Sequence, residues 1–183
     1  MVTRLLAVVV ALGVLAGGFV YVEQTKPAWY ARIRYPFEYR DIVVGHARNY
    51  DLDPALLAAV IYRESKFDAH ARSASGAVGL MQLLPDTAKG IAVHTGGAKF
   101  VVSDLDDPEI NVRYGSFYLR RLLTKYGDRR LALAAYNAGQ QNVDEWRAEG
   151  RGIVFPETRQ YVEEVLELED VYRRAYPDEL GGG

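Results

Sequence analysis

The chain begins with an apolar run. Residues 5–22 carry no charge and directly follow Arg4. A helix with a rise of ~1.5 Å per residue would span about 27 Å here, close to the roughly 30 Å hydrocarbon core of a bilayer. Residues 1–22 are therefore predicted to form a transmembrane signal anchor. A cleaved signal peptide is the alternative, because Ala16 before Gly17 offers a small residue at a cleavage position, but the apolar run continues beyond that point.

After this run, apolar residues recur at helical spacing. No stretch shows the alternation of apolar and polar residues that is typical of a strand. Asp53-Pro54 and Asp107-Pro108 each place an N-cap aspartate before a proline at the first helical position. The pattern predicts an all-α domain over residues 37–176, with 23–36 as a linker and 177–183 as a disordered tail. Helices are predicted over about 37–50, from 54 through 64, from 85, over 108–126 and 129–138, in a short segment to about 149, and over 156–175.

Composition and charge exclude several classes of function. The 183 residues include 22 Lys and Arg against 24 Asp and Glu, which gives a formal net charge of −2. This balance provides no electrostatic drive toward nucleic acid. The absence of cysteine excludes disulfides, thiolate zinc sites and a cysteine nucleophile. His46, His70 and His94 show no ligand spacing, so a histidine-based metal site is not expected.

Glu64 is the most informative residue of the chain. It lies three residues after Ile61, four after Val60 and seven after Leu57, so it continues the apolar face of its helix. Burial disfavours the charged carboxylate, and so does the negative end of the helix dipole. Both effects raise the pKa, as a general acid that works near neutral pH requires. A frayed or ion-paired glutamate is the alternative.

A loop with two glycines follows this helix. Residues 73–79 read SASGAVG, and Gly76 and Gly79 allow the backbone to approach a ligand closely. Gln82 follows with an amide that can both donate and accept hydrogen bonds. The loop is therefore a candidate wall of a binding site next to Glu64.

Five short motifs follow one another through the domain. In order, they are Glu64-Ser65-Lys66-Phe67, residues 73–82 (SASGAVGLMQ), Asn111-Val112 with Gly115 and Tyr118-Leu119, residues 134–139 (AAYNAG), and Glu157-Thr158-Arg159 with Tyr161-Val162. Together they resemble the soluble-lytic-transglycosylase (SLT) catalytic domain of the lysozyme-like superfamily, over roughly residues 37–172. The resemblance implies an all-α lysozyme-like fold, of the kind found in goose-type lysozymes and transglycosylases.

The resemblance also implies a reaction. Members of that family cleave the β-1,4 bond between N-acetylmuramic acid and N-acetylglucosamine in peptidoglycan and leave a 1,6-anhydro-muramoyl end. Glu64 matches their single acid/base, which protonates the leaving oxygen and then accepts the proton of the muramoyl C6 hydroxyl. Most glycosidases need two carboxylates. Asp68 is the nearest second acid and is expected to cap a helix end or loop, whereas a position in the site would favour a hydrolytic lysozyme.

Five further residues match substrate-binding positions of the family. Ser73 matches a serine next to the acid, and Gln82 matches a glutamine that faces the sugar cleft. Tyr136 matches a tyrosine over the catalytic carboxylate, where its hydroxyl can hold a proton-bearing oxygen. Asn137 is either a site residue or a C-cap. Glu157 either lines the cleft or balances the N-terminal end of its helix.

The sequence thus predicts a membrane-anchored peptidoglycan lytic transglycosylase that needs no metal or organic cofactor. Its partners would be glycan strands and, through residues 1–22, the cytoplasmic membrane, with the domain on the extracytoplasmic side. The basic residues that follow the apolar run indicate the opposite orientation, but long domains translocate largely regardless of such charges. Secretion after signal cleavage, a hydrolytic lysozyme of the same fold, and a non-catalytic tethered module that binds the cell wall are the alternatives.

Overall fold

Helices form the regular structure of the part of the chain that the computed structural model describes, residues 2–95, 97 and 99–181. Within these residues no strand is formed, and isolated β-bridges join Val78 to Arg72 and to Leu83. The predicted all-α class is therefore confirmed for the described residues. The helices are α1 (Val2–Thr25), α2 (Ala28–Arg34), α3 (Arg40–Asn49), α4 (Pro54–Ser65), α5 (Pro85–Thr95), a 3-10 helix (Val102–Asp106), α6 (Pro108–Tyr126), α7 (Arg129–Ala138), α8 (Gln140–Ala148) and α9 (Pro156–Ala175).

The predicted helix starts are confirmed by their capping hydrogen bonds. The Asp53 carboxylate accepts from the backbone N–H of Ala55 at 2.8 Å, and Asp107 accepts from that of Glu109 at the same distance. Gly127 ends α6 with a φ of 62°, a conformation that glycine adopts without steric cost. The boundaries of α4 and α6 thus follow from local chemistry.

Helix α4 lies at the centre of the main hydrophobic core. Every residue from 55 to 62 is buried, and the helix packs against α3 and α9. Helix α4 is therefore apolar on all sides, as expected for a helix enclosed by others. Its last turn, residues 63–65, is only partly buried and leaves the core.

A second, smaller core lies between α5, the 3-10 helix and α6. It contains Val78, Leu83, Ala88, Ile91, Ala92, Leu105 and Tyr114. The loop between α4 and α5 connects the two cores. The last turn of α4 and this loop therefore meet at the boundary between them, where the candidate site lies.

Two segments predicted to be irregular take part in packing. Residues 28–34 form α2, whose Ala31 is buried and whose Arg32 donates through Nε to the carbonyl of Ala175 at 2.7 Å. In the predicted tail, Leu180 is partly buried against the main core. Arg32 thus joins α2 to the end of α9, a contact that no local pattern reveals, and Leu180 packs on the core. Residues 182 and 183 lie outside the described residues.

Helix α1 covers the apolar run at the N-terminus. Large side chains along it are exposed, among them Leu12, Leu15 and Phe19. Within the part of the chain that the structure describes, none of the helices combines the length and the apolar character needed to span a bilayer. The transmembrane helix predicted from residues 1–22 is therefore not supported by the structure.

Candidate active site

Glu64 lines a cleft of about 330 Å³ at the end of α4. Burial raises the pKa of its carboxyl to about 7, although the hydrogen bond from Tyr161 and the positive charge of Arg63 lower it. At neutral pH such a carboxyl is present in both protonation states. It can therefore donate a proton in one step and accept a proton in the next.

Tyr161 of α9 orients the Glu64 carboxylate. Its hydroxyl donates to Oε1 of Glu64 at 2.6 Å, and the tyrosine is only 1% exposed. Burial and the nearby negative charge of Glu64 raise the pKa of Tyr161 well above its usual value, so the hydroxyl remains a donor. The packing of α9 on α4 thus sets the direction in which the carboxyl points.

Ser73 and Ser75 present two hydroxyls to the cleft. Their oxygens lie 2.8 Å apart, and Ser73 Oγ also accepts from the backbone N–H of Ala77 at 2.9 Å. Gly76 completes the turn with a φ of 83°. The loop is therefore closed by its own hydrogen bonds and holds polar groups that suit a sugar ligand.

Asn111 of α6 supports the loop segment that precedes α5. The asparagine is fully buried, and its Oδ1 accepts from the backbone N–H of Met81 at 2.8 Å. Its Nδ2 donates to the carbonyls of Val78 and Leu105, both at 2.9 Å. One side chain thereby satisfies three buried backbone groups that would otherwise lack partners.

Gln82 lines the cleft in an unusual backbone conformation, with a φ of 46°. Its side-chain nitrogen donates to the carbonyls of Ala71 at 3.1 Å and Gly79 at 2.9 Å. The amide therefore ties both ends of the glycine-containing loop together at the surface of the cleft.

Gly79→Ala is expected to lower the free energy of unfolding by about 3 kcal/mol. Gly79 has a φ of 79°, and an added Cβ would lie 2.2 Å from Asn111 Nδ2 and 2.4 Å from the Leu105 carbonyl oxygen. The matched control is Gly76→Ala, which has a φ of 83° but no atom within 4 Å of the new Cβ. It is expected to cost about 1 kcal/mol. Denaturant unfolding measures both, and equal losses would contradict the supporting role of Asn111.

Tyr136, at the end of α7, lines the cleft but does not hydrogen-bond to Glu64. Its hydroxyl donates to the carbonyl of Met81 at 2.8 Å, and its ring centroid lies 5.5 Å from that of Tyr118. Burial, with the charge of Glu64, raises the pKa of Tyr136 well above its usual value. The hydroxyl contact with the carboxylate, which the family resemblance suggested for Tyr136, is made in the structure by Tyr161.

Asn137 also lines the cleft, and its Oδ1 accepts from Thr158 Oγ1 at 2.9 Å. Glu157, next to Thr158, is exposed in the first turn of α9 and is not among the residues that line the cleft. The structure thus brings five of the six residues predicted for the site to one cleft, and it places Glu157 outside. The five are Glu64, Ser73, Gln82, Tyr136 and Asn137.

Among the described residues that line the cleft, Glu64 is the sole carboxylate. Asp68 is exposed, and its carboxylate accepts from the backbone N–H of His70 at 2.8 Å. Asp68 therefore caps a turn, as the sequence predicted. A second carboxylate is not supplied to the cleft by the residues just after α4.

Tyr161, Ser75 and Tyr118 also belong to the site, although the sequence indicates no role for them. In the sequence, Tyr161 stands in the fifth motif next to Val162, on a segment predicted to be helical. A buried tyrosine usually needs a hydrogen-bond partner for its hydroxyl, and this was the available signal. The partner itself, Glu64, is 97 positions away in the chain and became visible only in the folded structure.

Comparisons with known proteins agree with this geometry. Residues 42–152 match the family described as "Transglycosylase SLT domain". The chain is 34% identical over 157 residues to the soluble lytic murein transglycosylase of Salmonella typhimurium, covering 76% of this chain and 24% of that protein. It is 38% identical over 130 residues to the membrane-bound lytic murein transglycosylase F of Yersinia enterocolitica, covering 67% and 24%.

Two solved structures are similar to the fold. One is the lytic transglycosylase Slt of Pseudomonas aeruginosa, an inactive Glu-to-Gln mutant, with a TM-score of 0.74 and 34% identity over 88% of this chain and 27% of the other. The second is the 70 kDa soluble lytic transglycosylase of Escherichia coli, with a TM-score of 0.75 and 29% identity over 82% and 26%. The chain spans about a quarter of the length of these relatives. Since the family match extends over more than half of its residues, the chain belongs to the transglycosylase SLT domain family.

Proposed function

We propose that the protein is a peptidoglycan lytic transglycosylase. It cleaves the β-1,4 bond between N-acetylmuramic acid and N-acetylglucosamine and forms 1,6-anhydro-muramoyl ends, for remodelling or turnover of the cell wall. The observation that carries this proposal is Glu64, a partly buried carboxyl with a pKa of about 7 that lines a cleft with polar walls and is held by Tyr161. The names of the relatives support the same substrate.

In the proposed reaction Glu64 acts twice. Its protonated carboxyl donates a proton to the glycosidic oxygen as the bond from that oxygen to C1 breaks, and the substrate's N-acetyl group stabilises the cationic C1. The muramoyl C6 oxygen then attacks C1, and the Glu64 carboxylate accepts the C6 hydroxyl proton. One proton is donated and one is recovered, so the acid is regenerated and no water is consumed.

The single carboxylate favours this reaction over hydrolysis by a lysozyme. Most glycosidases position a second carboxylate to act as a base or nucleophile. Among the described lining residues that role has no candidate, since Asp68 caps a turn at the surface. An internal nucleophile, the C6 hydroxyl, removes the need for a second carboxylate.

Mass spectrometry of muropeptides tests the proposal. The full chain is incubated with purified peptidoglycan, and the products are compared with those of a hydrolytic lysozyme. Products lighter by one water than their reducing counterparts are expected. Reducing products would instead indicate a hydrolase, and an absence of products from a folded domain that binds glycan would indicate a binding module.

We further propose that α1 attaches the domain to the outer face of the cytoplasmic membrane. The support is the uncharged sequence of residues 5–22, the exposed apolar side chains along α1, and the membrane-bound relative from Yersinia. Secretion after cleavage near Ala16 is the alternative.

Deletion of residues 1–22 is expected to move the protein from the membrane fraction to the soluble fraction. Its kcat/KM on isolated glycan strands should stay within about twofold of that of the full chain, because the cleft lies outside the deleted segment. Fractionation of cells, with intact mass measurement of the full-length product, provides the readout. A full-length protein found in the soluble fraction, or a chain shortened near Ala16, would contradict membrane attachment.

A further inference from the structure

A second cavity, here called the basic cavity, lies between α2, the end of α4 and α9. Its volume is about 330 Å³, and its charged lining residues are Lys26, Arg34, Arg63, Lys66, Glu164 and Glu167. It shares no described lining residue with the catalytic cleft. We propose that the basic cavity binds the phosphate group of an anionic phospholipid headgroup; this rests on the proposed attachment of α1 to the membrane.

The lining of the basic cavity carries an excess of positive charge. Four cationic and two anionic side chains line it, which leaves a net charge of +2. Both anions are already paired, one with Lys26 and the other with Arg63. Among the ion pairs between described residues, none involves Arg34 or Lys66, which supply the remaining two charges. The basic cavity therefore suits a ligand that carries negative charge.

Two tyrosines orient Arg34 at the basic cavity. The Tyr62 hydroxyl accepts from Nη1 of Arg34 at 2.9 Å and donates to the Arg34 carbonyl at 3.0 Å. The Arg34 guanidinium lies 5.4 Å from the ring centroid of Tyr35, and Lys26 Nζ lies 5.7 Å from the same centroid. The two cations therefore lie close to one ring. An oriented guanidinium suits bidentate contact with a phosphate.

The position of the basic cavity next to α1 indicates a lipid as the source of the phosphate. Lys26 lines the cavity and directly follows Thr25, the last residue of α1. The apolar side chains along α1 are exposed, and this helix is the one proposed to attach the domain to the membrane. A cation directly after such a helix lies at the level of the lipid headgroups and is attracted to anionic ones. The headgroups are therefore the phosphates closest to the basic cavity.

Helix α2 provides a second indication that this part of the domain contacts lipid. Trp29 is 60% exposed and Ile33 is 77% exposed. They are four residues apart, so they share one face of α2, opposite the buried Ala31. Tryptophan is enriched where a membrane meets water. The exposed face of α2 therefore suits the surface of a bilayer, and Arg34 of the same helix lines the basic cavity.

Native mass spectrometry of the full chain in a nonionic detergent tests this proposal. Phosphatidylglycerol, zwitterionic phosphatidylcholine and inorganic phosphate are added separately, and the dissociation constant of each complex is determined. Phosphatidylglycerol is expected to bind more tightly than the other two. Arg34→Gln and Lys66→Gln should each raise its dissociation constant about fivefold, the effect of one cation near an anionic headgroup. Lys66 is exposed, so its replacement does not disturb the core.

Matched control variants remove the same charges elsewhere. Arg121 is exposed on α6 and Lys89 is exposed on α5, and neither lines the basic cavity. Arg121→Gln and Lys89→Gln should leave the dissociation constant of phosphatidylglycerol unchanged. The cavity variants should keep the kcat/KM of the unaltered chain on isolated glycan strands, because the basic cavity and the cleft share no described lining residue.

The outcomes separate this proposal from the proposed function. Unchanged binding of phosphatidylglycerol in both cavity variants, or an equal loss in the control variants, overturns the proposal. Inorganic phosphate that binds as tightly as the lipid also overturns it, since the basic cavity would then be a site for free phosphate. If the unaltered chain binds the lipid but cleaves no peptidoglycan, or is found in the soluble fraction of cells, the proposed function or the attachment by α1 fails while the lipid site stands.

Discussion

Glu64→Gln should reduce the turnover of peptidoglycan strands by at least about 1000-fold, because the amide can neither donate nor accept the proton in the proposed reaction. Glutamine has nearly the same shape, and its side-chain oxygen can still accept the Tyr161 hydrogen bond. Folding and glycan binding are therefore expected to remain close to those of the unaltered chain. Release of anhydro-muropeptides gives the rate, and binding to glycan strands is measured separately.

The control for this prediction is the same substitution at an exposed glutamate. Glu145 lies on the solvent side of α8 and does not line the cleft, so Glu145→Gln should leave turnover unchanged. If Glu64→Gln released anhydro products at an undiminished rate, the assignment of Glu64 as the acid/base would be wrong. Loss of both turnover and glycan binding would point to a structural role for the carboxyl instead.

Tyr161→Phe is expected to lower kcat by about 10-fold to 100-fold and to move the basic limb of the pH profile upward. The Tyr161 hydroxyl donates to the carboxylate and so stabilises its charged form, which lowers the pKa of Glu64. Without it, that pKa rises above about 7. The first step needs the protonated acid, so activity falls as the pH rises through the pKa of Glu64. Because that pKa is higher in the variant, its activity falls at a higher pH. The profile of kcat/KM from about pH 5 to pH 9 measures this shift.

Tyr136→Phe separates the two tyrosines of the site. The Tyr136 hydroxyl donates to the Met81 carbonyl and makes no hydrogen bond to Glu64. Its loss is expected to lower kcat by disturbing the loop, while the basic limb stays where it is in the unaltered chain. A shift of that limb in Tyr136→Phe but not in Tyr161→Phe would reverse the assignment that the geometry supports.

Much of the helical framework was predictable because its signals are local. Asp53 and Asp107 each accept hydrogen bonds from backbone N–H groups two and three residues ahead in the chain. Each is followed by a proline, which suits the first helical position. The burial of α4 was visible in part, as one apolar face. That this helix is enclosed on all sides depends on α3 and α9, which pack against it.

Segments without a local pattern were harder to predict. Residues 28–34 form a seven-residue helix, too short to show a period of its own. Its stability comes from Arg32, which donates to the last carbonyl of α9, and from the burial of Ala31. Leu180 beyond α9 is stabilised in the same way, through contact with the core. Such segments are ordered by partners far away in the chain.

Three features could be predicted from the sequence alone: the helix boundaries at the capping residues, the position of Glu64 at the end of an apolar face, and the family to which the chain belongs. These features depend on residues close together or on motifs in fixed order. The folded structure was needed to show that Tyr161 orients the acid and that Glu157 lies outside the cleft. Both features depend on the direction of a side chain and on its neighbours, which are set by the packing of distant helices, here α9 against α4.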